Sequence, residues 1–353
     1  MNPLGIIAIL SLAFIIAYLI TPLVIKLAPR VGAVDRPNLR KVHTRTMPRM
    51  GGLAIYIAYV TTLLTTQAID TRLVGLLTGG TLIMLLGLAD DIRNLSPHVK
   101  LLGQILAALS LVAFGVQVDF ITNPISGGLV TLGILAIPLT VLWLVGITNA
   151  VNLIDGLDGL AAGVSAVAAI VLAVVGWRSG ALDVAIWALI LAFATLGFLR
   201  YNFHPARLFM GDSGSMFLGF NLAALSLLSL TKSATAFSLV IPFVILGIPI
   251  LDTLCAIVRR FLGGQPIFQA DKEHLHHRLL GLGFSHRATV LVIYAISGTF
   301  GLSAIALTYF NRPEATLILI GLSVAALVGA GKLGVLLPTS HDQSTERYRG
   351  FSQ

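Results

Sequence analysis

The chain has 353 residues, of which 56% are hydrophobic and 11% are charged, and its mean hydropathy is +0.93. A soluble protein carries about a quarter charged residues, so the composition excludes an ordinary water-soluble enzyme. It predicts an all-α polytopic integral membrane protein. The net charge of +8 comes from basic residues dispersed among loops with few aromatic neighbours, which disfavours nucleic-acid binding.

Apolar blocks of membrane-spanning length recur along the chain and predict about eleven transmembrane helices. Their approximate ranges are 4–26, 51–68, 73–89, 101–118, 129–148, 160–177, 183–200, 214–230, 236–257, 288–309 and 315–337. We therefore predict a single membrane-embedded domain over residues 1–337. The polar segment 338–353 is expected to be a poorly ordered tail.

The loops between these blocks sort by charge. One side holds only four basic residues, which are Arg72, Arg178, Lys232 and Arg312. The positive-inside rule places the opposite, basic side in the cytoplasm. Most aspartates fall on that same side, although acidic residues contribute little to membrane orientation. Their gathering therefore calls for a cause other than topology.

The stretch ADDIRNLSPHVK follows the third predicted span and carries two adjacent carboxylates. On a helix, Asp90 and Asp91 point about a third of a turn apart, so one can face a cleft while the other bonds locally. Repulsion between two such neighbours can turn one of them into a general base. The alternative is a solvated helix end, since Asp and Asn are common in turns.

The run NAVNLIDGLDG spaces two asparagines and two aspartates at intervals of three residues. Residues i and i+3 share a helix face, so Asn149, Asn152, Asp155 and Asp158 would form one polar stripe at the membrane surface. Oxygen donors on such a stripe suit a hard divalent cation such as Mg²⁺. A glycine-rich turn capped by Asn and Asp would explain one or two of these residues, but not all four.

The segment YNFHPARLFMGDSGS opens another predicted span. Asp212 is flanked by glycines in this segment, which predicts a metal-binding turn at the mouth of the span. Phe209, three residues earlier, could stack on a nucleobase. An aromatic side chain at this depth can equally be an anchor at the membrane interface.

The segment DKEHLHHRLLGLGFSHR predicts a short helix that Asp271 can cap. His274, His277 and Arg278 would share one face, with His276 beside the leucines. A zinc site would want a fourth ligand and a different histidine spacing, so this face favours binding of phosphate oxygens. An amphipathic helix resting on anionic lipid would explain the leucines and the arginine, but not three histidines.

Taken together, these segments place several carboxylates near one membrane face. A bound cation would relieve their repulsion, and Lys100, Arg278 and the histidines add positive charge. This combination suits phosphoryl transfer between a water-soluble donor and a lipid acceptor. The alternative from another class is a secondary transporter, whose polar residues would be expected near the bilayer midplane.

The four segments, in this order between about Asp35 and Ser285, resemble the bacterial polyprenyl-phosphate N-acetylhexosamine-1-phosphate transferases. DRPNLRKVH with the following PRMGG is a further family-like segment. The resemblance implies transfer of N-acetylhexosamine 1-phosphate from a UDP-sugar to undecaprenyl phosphate, with release of UMP. That reaction is the first membrane step of a cell-envelope polysaccharide pathway.

The resemblance also implies roles for individual residues. The catalytic set is Asp90, Asp91, Asp155, Asp158, His274 and His277. The substrate-binding set is Lys100, Asn202, Phe209, His276 and Arg278. Asn152 and Asp212 are implied to bind Mg²⁺, for which Mn²⁺ can substitute.

The form HLHHRL resembles the N-acetylglucosamine-type enzymes, which favours UDP-GlcNAc as the donor and leaves UDP-GalNAc open. A phospho-N-acetylmuramoyl-pentapeptide transferase is the alternative within the same superfamily. The resemblance implies a multi-pass protein of the bacterial inner (cytoplasmic) membrane with its active site facing the cytoplasm. A homodimer is also open.

Overall fold

A computed structural model describes residues 2–35, 46–122, 128–230, 240–264, 274–310, 312–332 and 334. Most of DRPNLRKVH, together with Lys232, Asp271 and the tail 338–353, lies outside these residues. The helices are α1 (Pro3–Val31), α2 (Gly52–Thr66), α3 (Thr71–Arg93), α4 (Pro97–Ala113), α5 (Ala136–Leu153), α6 (Leu160–Arg178), α7 (Leu182–Asn202), α8 (Gly211–Leu230), α9 (Val240–Ile245), α10 (Gly247–Leu262), α11 (Leu275–Gly281), α12 (His286–Leu307) and α13 (Arg312–Lys332).

Two small antiparallel sheets accompany the helices. Strand β1 (Val34–Asp35) pairs with β2 (Met47–Pro48), and β3 (Phe120–Thr122) pairs with β4 (Leu129–Thr131). A 3₁₀ turn over Gly133–Leu135 leads from β4 into α5. The described part of the chain is thus almost entirely helical, which confirms the predicted all-α membrane fold.

Among the described residues, seven helices are long and apolar enough to cross a membrane. They are Pro3–Val31, Thr71–Arg93, Gly133–Leu153, Leu160–Arg178, Leu182–Asn202, His286–Leu307 and Pro313–Lys332, and α2 and α4 are shorter apolar helices. The predicted number of eleven spans and their orientation stay predictions.

Two of the predicted spans are wrong in detail. The block 129–148 begins as strand β4, and its helix α5 starts only at Ala136, because Leu129, Val130 and Thr131 suit a strand paired with β3. The block 236–257 is divided into α9 and α10. Pro249 explains the break, because a proline ring clashes with the carbonyl four residues earlier, here that of Ile245.

The core forms around α6, α7 and α8. These helices are apolar on nearly every side, as expected of helices enclosed by other helices, and their largest buried side chains include Trp187, Phe198, Phe217 and Phe220. Small residues let the backbones approach closely. A side chain at Gly52 would overlap the backbone of Gly214 in α8. This packing fixes the start of α8 beside the first residue of α2 and the last turns of α3.

Candidate active site

Two carboxylates end helix α3. Asp90 and Asp91 lie in its last turn, with side chains 6% and 0% exposed. Oδ1 of Asp90 accepts a hydrogen bond from the backbone N–H of Leu95 at 2.7 Å. A helix C-terminus carries partial negative charge, so two buried carboxylates here require compensation from elsewhere in the fold.

Asp91 receives part of that compensation from the start of α8. Its Oδ1 accepts the backbone N–H of Asp212 at 2.9 Å, and its Oδ2 accepts the hydroxyl of Ser213 at 2.6 Å and its N–H at 3.2 Å. A helix N-terminus is electropositive and has free N–H donors. Gly211 enables the contact, because its φ is +75° and a side chain there would overlap the Asp91 carboxylate. Asp91 therefore anchors α8 to α3.

Lys100 connects the other two carboxylates at this site. Its Nζ lies 2.9 Å from Oδ2 of Asp212 and 3.4 Å from Oδ2 of Asp90. Sequence-remote residues of α3, α4 and α8 thus form one charged cluster. Together with Asp155 of the α5–α6 turn, it is called the acidic cluster (Asp90, Asp91, Lys100, Asp155 and Asp212). Asp90 and Asp212 each direct an oxygen at the ammonium group of Lys100, whereas Asp91 directs its oxygens at the N-terminus of α8.

Arg49 supports this cluster and was not predicted. Its Nη2 donates to the carbonyl of Asp90 at 3.1 Å, its Nε donates to the carbonyl of Asp91 at 3.3 Å, and that Nε lies 3.5 Å from Oδ1 of Asp91. It therefore contacts two carbonyls in the last turn of α3 as well as a carboxylate. The segment PRMGG contained this residue, but the pattern gave no sign of its target.

The predicted polar stripe of NAVNLIDGLDG is wrong in its second half. Helix α5 ends at Leu153, and Asp155 and Asp158 lie in the turns that follow. Asn149 pairs its amide with that of Gln104, whose Nε2 lies 3.2 Å from Oδ1 of Asn149. Asn152 donates to the hydroxyl of Ser215 in α8 at 2.7 Å. The i, i+3 argument fails because the glycines end the helix after its first two members.

Asp155 nevertheless faces the same cluster. Burial raises the pKa of Asp155 well above its usual range, and the nearby negative charges of Asp212, Asp91 and Asp158 raise it further. The turn therefore brings a fourth carboxylate into a region that is already negative. The predicted convergence of distant aspartates is confirmed by this arrangement.

The donor set fits a hard divalent cation. Carboxylate oxygens of Asp155 and Asp212 and the amide oxygen of Asn152 are the ligand types that Mg²⁺ prefers. Burial is the first cause of the raised pKa of Asp155, and the neighbouring negative charges add to it. A cation would offset the second of these causes. Ligation by Asn152 and Asp212 stays a prediction.

Asp158 belongs to a separate group with two histidines. Its Oδ2 lies 2.8 Å from Nδ1 of His204 and accepts the N–H of Ala206 at 3.0 Å. The rings of His204 and His286 stack with centroids 4.1 Å apart and planes 20° apart. One ligand atom from each of the three side chains lies within 4.8 Å of those of the other two, so the group has the spacing of a candidate metal site. Its hydrogen bonds also hold Asp158 in place.

Asn202 binds backbone groups through its side-chain amide, and Phe209 pairs through its own backbone. The Asn202 amide accepts the N–H of Gly159 at 3.1 Å and donates to the carbonyl of Leu208 at 3.0 Å, so it joins two loops. That occupation favours a structural role over the predicted contact with substrate. Phe209 bridges to Arg49 through its backbone, and its side chain is partly buried. Its contact with a nucleobase stays a prediction.

The histidine segment forms helix α11, and its cap differs from the prediction. Asp271 lies outside the described residues, and the N-cap position is occupied by His274. The carboxylate of Asp252 in α10 accepts the N–H of Leu275 at 2.8 Å. Asp252 was not assigned a role from the sequence, because nothing in the pattern links α10 to a helix that follows a long loop.

The histidines divide differently from the predicted faces. His274 and His276 are both buried, with parallel rings whose centroids are 5.9 Å apart, whereas His277 is exposed and Arg278 is partly buried. Of the predicted face, His274 is thus buried at the N-cap, whereas His277 and Arg278 are more exposed.

His276 packs against the α5–α6 turn, where its ring occupies the space that a side chain at Gly156 would need. Burial, with His277 as the next cause, lowers the pKa of His276 from 6.5 to about 3. The ring is therefore neutral near pH 7 and adds no positive charge, contrary to the prediction.

Comparisons with known proteins follow the same segments. A model of glycosyl transferase family 4 matches residues 73–230. The probable undecaprenyl-phosphate N-acetylglucosaminyl 1-phosphate transferase of Bacillus subtilis is 49% identical over 300 residues, which cover 84% of each chain. The decaprenyl-phosphate N-acetylglucosaminephosphotransferase of Mycobacterium tuberculosis is 39% identical over 357 residues, covering 92% of this chain and 88% of that protein.

A more distant similarity reaches another group of enzymes. The phospho-N-acetylmuramoyl-pentapeptide-transferase of Halalkalibacterium halodurans is 32% identical over 321 residues, covering 84% of this chain and 95% of that protein.

Proposed function

The chain belongs to glycosyl transferase family 4, and on that premise we propose that it transfers N-acetylglucosamine 1-phosphate from UDP-GlcNAc to undecaprenyl phosphate. The resemblance predicted from its four motifs is thereby confirmed at the level of the family. The donor is favoured by the names of the relatives at 49% and 39% identity. The 32% identity to a pentapeptide transferase makes that activity the second candidate.

One observation carries the proposal. The acidic cluster, crossed by Lys100, lies where α3 ends and where α4 and α8 begin, and α3 is long and apolar enough to span a membrane. A lipid phosphate and a soluble diphosphate are both anions, and their reacting groups would meet at such a boundary. A transporter would be expected to place these polar groups near the middle of its spans, so the position at helix ends disfavours transport.

An apolar cleft provides a place for the lipid tail. It has a volume of about 500 Å³ and is lined by residues of α5, α8, α9 and α10, including Ala150, Leu227, Phe243 and Leu254. Ala150 lies two residues before Asn152 on α5. A polyprenyl chain in this cleft would therefore have its phosphate end near the acidic cluster.

The reaction exchanges one phosphoanhydride for another. An oxygen of the lipid phosphate forms a bond to the β-phosphorus of the UDP-sugar, the bond from that phosphorus to the bridging oxygen breaks, and UMP leaves. A Mg²⁺ ion held by Asn152, Asp155 and Asp212 would supply charge neutralisation for the donor diphosphate. Lys100 would leave its carboxylate partners to contact the incoming phosphate oxygens.

Asp90 is the better candidate of the aspartate pair for the general base. Asp91 uses both oxygens to hold the start of α8, whereas Oδ2 of Asp90 lies 3.4 Å from Nζ of Lys100 and its carboxylate lies beside that of Asp212. Asp90 can therefore accept the proton of a monoprotonated lipid phosphate, which makes that phosphate a better nucleophile. His274, His277 and Arg278 are proposed to hold the donor diphosphate, and Asp158 the nucleotide.

The location and assembly follow the same reasoning. Basic loops on the side of the acidic cluster support an active site that faces the cytoplasm from a bacterial inner membrane. Mn²⁺ would replace Mg²⁺ because it accepts the same oxygen donors. Whether two copies assemble is a question for size measurements of the purified protein.

The deciding experiment measures UMP release by the purified chain in lipid nanodiscs with UDP-GlcNAc, undecaprenyl phosphate and Mg²⁺. We expect release that requires both substrates and stops when EDTA is added. UDP-GalNAc and UDP-MurNAc-pentapeptide in place of UDP-GlcNAc test the donor. Release without the lipid, or with the pentapeptide donor alone, would contradict the proposed reaction. Turnover that survives the chelator would contradict the metal assignment.

A further inference from the structure

We propose that Asp252 is a positioning residue for the transfer reaction, and that it acts by fixing the ring orientation and protonation pattern of His274. The inference rests on the proposed function for the role of His274. Oδ2 of Asp252 lies 2.9 Å from Nδ1 of His274, and the two side chains are 3% and 6% exposed. This is the most enclosed carboxylate–imidazole pair that the described residues contain.

The pair determines which ring nitrogen carries hydrogen. An ionised carboxylate only accepts hydrogen bonds, so Nδ1 of His274 must be the donor at 2.9 Å. The other nitrogen, Nε2, is then left for a ligand. When the ring takes up a proton, Nε2 becomes a donor for an oxygen of the donor diphosphate while Nδ1 stays paired with Asp252.

The second oxygen of Asp252 fixes the position of the ring. Oδ1 accepts the N–H of Leu275 at 2.8 Å, so one carboxylate caps α11 and holds the residue immediately before it. The side chain of His274 makes no capping bond of its own. Helix α10 therefore sets the place at which the histidine helix begins.

The ring of His274 is connected to the acidic cluster through His276. His274 lies parallel to His276, with ring planes 2° apart, and His276 packs on Gly156 in the turn that carries Asp155. Asp252 is thus connected to the acidic cluster through two stacked imidazoles and one turn. A shift of His274 would alter the distance between the two halves of the site.

A capping role alone does not account for this carboxylate. It lies beside an apolar cavity of about 310 Å³ lined by Ile248, Leu275 and Phe300, among others, and burying a carboxylate in such surroundings is costly unless it is fully paired. A serine or asparagine at position 274 would cap α11 without a buried charge. The sequence instead has a histidine there, and the carboxylate that orients it belongs to α10.

The variant Asp252→Asn separates capping from orientation. Asparagine keeps an oxygen for the N–H of Leu275, but its NH₂ group faces Nδ1 of His274 and requires that nitrogen to accept. We expect kcat for UMP release to fall about 10- to 100-fold, as for other groups that orient a functional histidine. The KM for undecaprenyl phosphate should change little, and the melting temperature should stay near that of the wild type. Asp252→Glu should recover part of kcat.

The control Asp183→Asn makes the same chemical change at an exposed carboxylate and should leave kcat unchanged. The readout specific to orientation is the ¹⁵N NMR spectrum of histidine-labelled protein in nanodiscs, assigned with His274→Gln. Wild type should show hydrogen on Nδ1 of His274, and Asp252→Asn should move it to Nε2.

Wild-type kcat in Asp252→Asn would overturn the proposal. So would a loss of kcat without a change in the ring protonation of His274, because that result describes a merely structural residue. The NMR result needs no turnover. If the wild type transfers nothing, the reaction is refuted separately, and the protonation of His274 still tests the Asp252 contact.

Discussion

The two ends of helix α3 carry aspartates in opposite electrostatic settings. Asp70 occupies the N-cap, where Oδ1 accepts the N–H of Leu73 at 2.8 Å and the side chain is 39% exposed beside Arg72. Asp90 and Asp91 occupy the last turn and are almost completely enclosed. A carboxylate is stabilised by the helix dipole at the N-terminus and destabilised by it at the C-terminus.

The difference shows which carboxylates stabilise the fold and which are stabilised by it. Asp70 needs only its own helix and a partly exposed arginine. The pair at the other end depends on Arg49, on Lys100 and on the N-terminus of α8, all supplied from distant parts of the chain. Carboxylates kept at such a position are best explained by the chemistry proposed for them.

The strongest test of this comparison is Asp212→Asn. The change removes a charge next to Lys100 and a proposed metal ligand, and we expect turnover to fall about a hundredfold or more. The melting temperature should fall slightly, because the folded protein pairs the charge of Asp212 with Nζ of Lys100 at 2.9 Å. UMP release and thermal unfolding of the same sample measure both quantities. Normal turnover with Mg²⁺ would remove Asp212 from the metal site.

The next largest effect is expected for Asp91→Ala. It leaves the N–H groups of Asp212 and Ser213 without their acceptor and Arg49 without its buried partner, so stability should fall by on the order of 3 kcal/mol. Denaturation in detergent would measure the loss, with Asp90→Ala as the matched control at the other member of the pair. Equal, small losses in both variants would contradict the anchoring role of Asp91.

His276, a buried residue outside α3, tests whether burial governs the protonation of a side chain. The unfolded chain binds a proton on His276 below about pH 6.5, whereas the folded protein does so only near pH 3. The unfolded state thus binds more protons in this window, so stability falls as the pH is lowered through it. Melting curves from pH 7 to pH 5 should show a smaller decrease for His276→Gln than for wild type. Parallel curves would show that His276 is charged in the folded protein.

The smallest effect is expected at the exposed end of α3. Asp70→Ala removes an N-cap and should cost about 1 kcal/mol of stability, with kcat unchanged because the residue is far from the proposed reaction. Asp70→Asn keeps the capping oxygen and is the matched control. A change in kcat for either variant would show that the two ends of α3 are coupled.

The sequence was sufficient for the class of fold and for the gathering of the carboxylates. Hydropathy identified the helices, and the sorting of charge placed Asp90, Asp155 and Asp212 on one side. It was not sufficient for the partners of those groups. Arg49 and Asp252 are recognised only from packing, because their targets lie in other segments of the chain.

Two further errors have local causes. The stripe of Asn and Asp residues was extended through Asp158 because spacing alone does not show that α5 ends at Leu153. His276 was counted as a cation because its residue type, and not its burial, is visible in the sequence.

The contact between Gly156 and His276 has a consequence for genetics. A methyl group at position 156 would overlap the imidazole, so an alanine allele would resemble a histidine mutant although every histidine remains. Suppressors of such an allele should therefore arise in the short helix after the long loop, where a smaller residue in place of the ring would make room for the methyl group.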